Sequence, residues 1–321
     1  MGKRPSVEDM ERLKIAITGA SGFVGSNLVK YFLKNNTVFA LTRNTKSWRL
    51  PSFNTVYFDI KNRRKVIDTI RKIRPDVLIH CAIYGAYHFE NNVDDVIETN
   101  IVGTLNVLDA CKNVSLFVNT GSSSEYGIRE SVMNETNEVA PATNYAMSKA
   151  LITNLLQSKN MNAVTMRLFS VYGYYEEKHR LIPYLLYCSI KGQTAKLSNK
   201  NNVRDFVFID DVVKAYELAI QKHNKLDKGT IFNVGSGKQV AIKDVVNELD
   251  VDVEWDPAIR EKEPDRVWQA DISKIKKELG WKPEHALKEG LRKTKAWMKE
   301  NIEFYEDERN DKCAGFKENS K

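Results

Sequence analysis

The chain has 321 residues, 28% charged and 42% hydrophobic, with a net charge of +7. That length allows one large or two ordinary domains with cores of their own, and the composition excludes a disordered or fibrous chain. The basic residues are scattered, with only short clusters such as Lys61 to Lys65, so the excess charge suits a ligand rich in phosphate and gives no expectation of nucleic-acid binding.

In chain order, Leu13 to Ile17 reads as a short buried strand. Glycines follow at 19, 22 and 25, then an amphipathic run, Asn27 to Leu33, with helical spacing. Thr37 to Leu41 and Val56 to Phe58 are further strands, and 61–74 is a basic helix. Val77 to Ile79 is a fourth strand running into His80, Cys81 and Ala82. A helix is predicted over about 93–112, then a fifth strand, Leu116 to Asn119, closing on a serine cluster. A helix over about 144–158 leads to a sixth strand, Val164 to Leu168. Strands alternating with helices predict an α/β fold with a parallel sheet covered on both faces. Beyond Tyr172 the alternation loosens. Helices are expected over 180–192, 211–222 (capped by Asp210-Asp211), 241–249 and 272–279, with strands at Phe206 to Ile209 and Ile231 to Val234.

Cysteines at 81, 111, 188 and 313 show neither metal-ligand spacing nor a disulfide framework, so no metal is expected. Reduced thiols are expected, and with them a cytoplasmic location. Residues 1–12 are polar and carry Glu8, Asp9 and Glu11, unlike a signal peptide. No apolar run reaches the ~18 residues of a membrane helix. Residues 1–12 and 306–321 are expected to be flexible tails.

The pattern strand, glycine turn, helix is a dinucleotide-binding signal. Gly19 would permit the tight turn, Gly22 would let the backbone approach a pyrophosphate, and Gly25 would let the helix sit close to the strand. Tyr145 and Lys149 lie one helical turn apart on one face. A nearby cation lowers a tyrosine pKa, so Lys149 is expected to make Tyr145 a usable acid or base. Ser122-Ser123-Ser124 lies at the mouth of the fifth strand, where ligands bind in open α/β sheets.

Thr18-Gly19-x-x-Gly22-x-x-Gly25, the serine cluster before Tyr126-Gly127, and Tyr145-x-x-x-Lys149 together resemble the extended short-chain dehydrogenase/reductase family. Within it, the chain is similar to nucleotide-sugar epimerases, dehydratases and 4-ketoreductases. Asn100-x-x-Gly103-Thr104, Arg167 to Gly173, Arg204 to Asp211 and Gly280 to Pro283 extend the resemblance over about residues 13–300. It implies a Rossmann-type doubly wound parallel sheet over 13–172, with segments of about 206–240 returning to it. A smaller α/β substrate-binding domain would comprise 173–205 and 241–305. By the same resemblance, Ser122 takes the catalytic Ser/Thr position, with Ser123 as the fallback. Tyr145 is the acid/base, and Lys149 is its partner and a cofactor contact. Gly19, Ser21, Gly22, Phe23, Val24 and Gly25 would hold the cofactor. Asp59 and Ile60 would lie beside its adenine, and Cys81 and Ala82 near its centre. Ser170 stands where the family has a substrate-binding Asn. Arg204 and either Arg260 or Arg266 would grip the nucleotide diphosphate.

The residues that follow Ser122 bear on the reaction. Family dehydratases carry an acidic residue just after the catalytic Ser/Thr, whereas this chain has Ser123 and Ser124, with Glu125 one place later. Dehydration needs a general acid within reach, so 4-epimerisation or 4-keto reduction of a nucleotide sugar is the expected chemistry. Dehydration, a non-catalytic NAD(P)-binding role and an RNA-binding role are the alternatives. The second strand ends Thr42-Arg43-Asn44 with no carboxylate to take a ribose 2′-hydroxyl, so NADP(H) is expected over NAD(H), with Arg43 on the 2′-phosphate. The resemblance also implies a homodimer built on the helices near 93–112 and 144–158.

Overall fold

A computed structural model of the protein describes residues 12–51, 54–87, 89–159, 161–256 and 267–307. Arg260, Arg266, Cys313 and most of both expected tails lie outside the described residues. The first half contains β1 (Lys14–Thr18), α1 (Phe23–Phe32), β2 (Thr37–Thr42), β3 (Thr55–Tyr57), α2 (Arg63–Ile73), β4 (Val77–His80), α3 (Val93–Val96), α4 (Thr104–Ala110), β5 (Leu116–Ser122), α5 (Asn144–Ser158) and β6 (Ala163–Leu168). The second half contains β7 (Ser170–Tyr172), α6 (Leu181–Lys191), β8 (Ala195–Leu197), β9 (Val203–Phe208), α7 (Ile209–Lys222), β10 (Thr230–Val234), β11 (Gln239–Ala241), α8 (Ile242–Leu249), β12 (Val253–Trp255), α9 (Ser273–Leu279), α10 (Leu287–Glu300) and α11 (Glu303–Glu306).

Seven strands form one parallel sheet in the order β10-β6-β5-β4-β1-β2-β3. Alternate residues of β1 feed opposite faces. Ile15 and Ile17 pack with Leu28 and Phe32 of α1, and Ala16 packs with Val66 and Ile70 of α2. Both faces are therefore buried, which is why these strands read as near-continuous apolar runs. The chain winds outward from β1 to β3, then restarts at β4 on the other side of β1. The crevice at the carboxyl ends of β1 and β4 is the switch point where such sheets bind ligands. Outside this sheet, β11-β9-β7 and β12-β8 form two small ones. Of the later strands, β10 lies at the edge of the large sheet, whereas β9 pairs with β7 and β11.

Several elements differ from expectation. The predicted helix over 93–112 is α3 and α4 joined by a π-helical stretch, Ile97–Gly103. Within it, Asn100 accepts the Tyr84 N–H at 2.9 Å and donates to Tyr84 O at 2.8 Å and Ser148 Oγ at 2.9 Å. Asp210 and Asp211 do not cap α7, whose N-cap is Phe208. Instead the Asp211 carboxylate accepts the Glu284 N–H and the His285 ring, tying α7 to the C-terminal segment. Glu306, assigned to a flexible tail, ends α11 and pairs with Lys191. Among the described residues, no helix is long and apolar enough to cross a membrane, and no cluster of His, Cys, Asp and Glu could hold a metal. Cys81, Cys111 and Cys188 are free thiols.

Candidate active site

A cleft of about 1380 Å³ opens at the carboxyl end of the large sheet. It exceeds the roughly 300–1,000 Å³ of a site for one small ligand. Every site residue expected from the sequence that lies among the described residues lines it, from Gly19 and Arg43 at one end to Tyr145, Ser170 and Arg204 at the other.

The first wall is shaped by missing side chains. Gly19 has φ +62°, and a Cβ there would come within 2.6 Å of the Cys81 carbonyl carbon and the Ala82 nitrogen. The turn after β1 therefore passes against the end of β4. A Cβ on Gly25 would sit 2.4 Å from Gly19 O, so α1 packs directly on that turn. A Cβ on Gly22 would meet only Gly19 O, at 3.2 Å. α1 starts at the cleft with Gly22 as its N-cap and no side chain capping it. An uncapped helix start with open space beside it fits a pyrophosphate. Ser21 Oγ bonds Thr42 Oγ1 at 2.7 Å, joining this turn to the end of β2, where Arg43 is exposed. Asp59, Ile60, Cys81 and Ala82 complete this half. The residues fit a dinucleotide cofactor.

His80 lies beneath. Its ring bonds Thr18 Oγ1 at 2.8 Å and Thr104 Oγ1 at 2.9 Å. Burial, with the Lys149 charge adding to it, pulls its pKa down to about 3.

The second wall is built from buried and half-buried polar groups. Thr143 caps α5 by accepting the Ala146 N–H at 3.1 Å, which sets Tyr145 in the first turn with its side chain in the cleft. Lys149 follows one turn later, buried, with Nζ donating to Thr120 O at 2.5 Å and lying 5.9 Å from the Tyr145 ring centre. Ser122 ends β5; its hydroxyl bonds Ser124 Oγ at 2.8 Å and, lining the same cleft, acts to lower the Tyr145 pKa. The Ser122 N–H donates to Glu125 Oε1 at 2.8 Å, and its Oγ accepts the Ser124 N–H at 3.2 Å.

The electrostatics differ from expectation at one point. Burial raises the Tyr145 pKa, and the Ser122 hydrogen bond and the Arg180 charge only partly offset it. Burial lowers the Lys149 pKa to about 8. Burial thus sets the direction of the Tyr145 shift, upward from its ordinary value, where an acidifying effect of Lys149 was expected.

On the substrate side, Ser170 begins β7. Arg204 on β9 donates to Val203 O at 2.6 Å and lies 5.1 Å from the Trp268 ring centre. Sequence reasoning missed Arg180. It lines the cleft, donates to Ala86 O at 2.7 Å, lies over the Tyr87 ring at 4.5 Å and acts electrostatically on Tyr145. It missed Arg49 as well, which is buried, pairs with Glu177 at 3.7 Å and donates to Tyr175 O at 2.8 Å. No motif marks either arginine, because only the crossing of the 173–180 loop over the cleft brings them there.

Comparison with known proteins agrees with this geometry. The chain is 26% identical to a dTDP-glucose 4,6-dehydratase of Salmonella typhimurium, over 91% of this chain and 94% of the relative. It is 28% identical to a putative UDP-glucose 4-epimerase of Methanocaldococcus jannaschii, over 89% and 99%. The fold is similar to that of a UDP-glucose 4-epimerase of Thermotoga maritima solved with UDP-glucose. The TM-score is 0.82 at 22% identity, covering 90% of this chain and all of the other. Residues 15–235 match the family model described as the NAD dependent epimerase/dehydratase family, and with the glycine turn, Tyr145 and Lys149 around one cleft, the chain belongs to that family.

Proposed function

We propose that this enzyme acts on a nucleotide-activated sugar by hydride transfer at C4, as a 4-epimerase or a 4-ketoreductase. The observation that carries the reading is the Ser122, Tyr145 and Lys149 group facing the glycine turn across one cleft roomy enough for two ligands. When bound, the nicotinamide cofactor supplies or accepts the hydride. Tyr145 gives a proton to the sugar oxygen, or takes one from it. The raised pKa of Tyr145 suits it to giving that proton. Ser122 hydrogen-bonds the same oxygen, and the Lys149 ammonium stabilises negative charge on the tyrosine after transfer. Gly19, Ser21, Gly22, Phe23, Val24 and Gly25 hold the cofactor phosphates. Asp59 and Ile60 flank its adenine, Cys81 and Ala82 lie along its middle, and Arg204 and Ser170 hold the substrate.

The Salmonella relative favours dehydration as the second reading. Against it, places 123 and 124 are serines. Glu125 is fully buried and committed to the Ser122 N–H and Arg167, outside the cleft lining. Incubation with UDP-, dTDP-, GDP- and CDP-sugars, followed by NAD(P)H absorbance and product NMR, separates the reactions. Epimerisation gives a C4 epimer with no net absorbance change. Reduction of a 4-keto sugar consumes NAD(P)H. A 4-keto-6-deoxy product would replace this reading with dehydration, and no turnover with any of them would end it.

Arg43 at the end of β2, with no carboxylate beside it, supports a preference for NADP(H). Free thiols support a cytoplasmic location. Exposed Val93, Ile97, Val102 and Leu105 on the helices around 93–110, with Met147 and Leu151 on α5, support a homodimer through these helices. Leu151→Glu is expected to convert a dimer to a monomer in light scattering.

A further inference from the structure

Glu125 lies outside the cleft, yet one of its oxygens ends on Ser122, which shares the cleft lining with Tyr145. The carboxylate is wholly buried and Arg167 is 2% exposed. Arg167 Nε donates to Glu125 Oε2 at 2.9 Å, while Glu125 Oε1 accepts the Ser122 N–H at 2.8 Å. The sheet brings the two together, because Arg167 on β6 is the register partner of Gly121 on β5. Gly121 leaves the space for it. A Cβ there would lie 2.8 Å from Glu125 Oε1 and 3.2 Å from Arg167 Cγ. The guanidinium also lies over the Tyr126 ring at 4.6 Å.

We infer that Glu125, clamped by Arg167, is a positioning residue that fixes Ser122 for its contact with Tyr145. This rests on the catalytic reading of Ser122 and Tyr145. A buried ion pair is a poor source of stability, and well-packed apolar residues often replace one without loss. What an apolar residue cannot do is accept the Ser122 N–H at the end of β5. With that amide held, the serine backbone is fixed just where its hydroxyl meets the tyrosine. The carboxylate also adds negative charge near the site, and it raises the proton affinity of both Tyr145 and Lys149. The other charged or titratable groups facing this pair are Glu90, Arg180, Cys81 and His80.

The test uses two variants of the full-length protein. Glu125→Val combined with Arg167→Met removes both charges and keeps the volume apolar. Glu125→Gln keeps an acceptor and removes the charge. For the double variant we expect a retained thermal midpoint, KM within about threefold, and kcat down roughly 10- to 100-fold, as for a small misplacement of a reacting group. For Glu125→Gln we expect the alkaline limb of the pH–rate profile to move to lower pH by up to about 1 unit, a shift that a purely structural role would not produce. Hydrogen–deuterium exchange of the 119–126 segment needs no substrate, and the Ser122 amide should exchange faster in the double variant, which lacks the acceptor, than in Glu125→Gln or the wild type. A folded double variant with wild-type kcat, or unchanged exchange at Ser122, overturns the inference. If the double variant does not fold, Glu125→Gln decides by its pH–rate profile, and an alkaline limb that does not move overturns the inference. If the wild-type protein turns over no nucleotide sugar, the functional reading fails and amide exchange alone decides the clamp.

Discussion

On one side of the cleft Gly19, Gly22 and Gly25 act by lacking side chains; on the other, Tyr145, Lys149 and Ser122, backed by buried Glu125, act by setting polar ones out of water. At Gly19 and Gly25 the glycine wall needs close approach of backbone to backbone, 2.4 to 2.6 Å from where a Cβ would stand. The polar wall is desolvated, which raises the Tyr145 pKa and lowers that of Lys149 to about 8. The first kind of wall is tested by adding a methyl group, the second by removing a single polar atom.

The largest expected effect is on the polar wall. Tyr145→Phe removes one hydroxyl and should lower kcat by roughly 10²–10⁴-fold while cofactor affinity, read by titration, stays near wild type. Wild-type turnover, or lost cofactor binding, would erase the division between the walls. On the glycine wall, Gly25→Ala forces a Cβ onto Gly19 O and should destabilise the fold by about 1–3 kcal/mol, with cofactor affinity falling as well. Gly22→Ala meets nothing closer than 3.2 Å, so its thermal midpoint should hold while affinity drops about tenfold or more. Equal loss of stability in both variants would show that Gly22 serves the fold and not a ligand.

His80 lies beneath the cleft and should make it acid-sensitive. Its pKa is 6.5 in an ordinary setting and about 3 here. Between those values the unfolded chain binds a proton that the folded chain refuses. Stability should therefore fall as pH drops from about 6.5 towards 3, by up to about 1.4 kcal/mol per unit. Urea midpoints between pH 7 and 4 should show a shallower decline in His80→Gln; an equal slope would remove His80 from the account. The smallest effect is expected at Arg43, which is exposed and screened. Arg43→Ala should cost about tenfold in NADP(H) affinity and leave NAD(H) affinity unchanged, as measured on protein stripped of nucleotide. Tighter binding of NAD(H) by the wild-type protein would reverse the reading of the β2 end.

The parts legible in advance share a short range. The strands of the large sheet are apolar because both their faces are covered, and α5 spans the 144–158 that its sequence predicts. The strands β7, β8, β11 and β12 have three residues each and lie beyond Tyr172, outside the strand–helix alternation that still marked the equally short β3. In α10 the core stripe of Leu287, Leu291, Thr294 and Met298 was present but diluted by charge. The π-helical stretch at 97–103 has no sequence period of its own.

The sequence by itself determined the family, the glycine turn and the Tyr145–Lys149 spacing, because each depends on residues a few places apart whose geometry is set by one strand, one turn or one helix. Only the tertiary structure decided that burial, and not the lysine, governs the Tyr145 pKa. It alone set Arg180 near that tyrosine and turned Glu125 away from the cleft onto Ser122 and Arg167. Desolvation and ion pairing depend on which distant segments pack together. Residues 42 positions apart, such as Glu125 and Arg167, carry no mutual signal until β5 and β6 are in register.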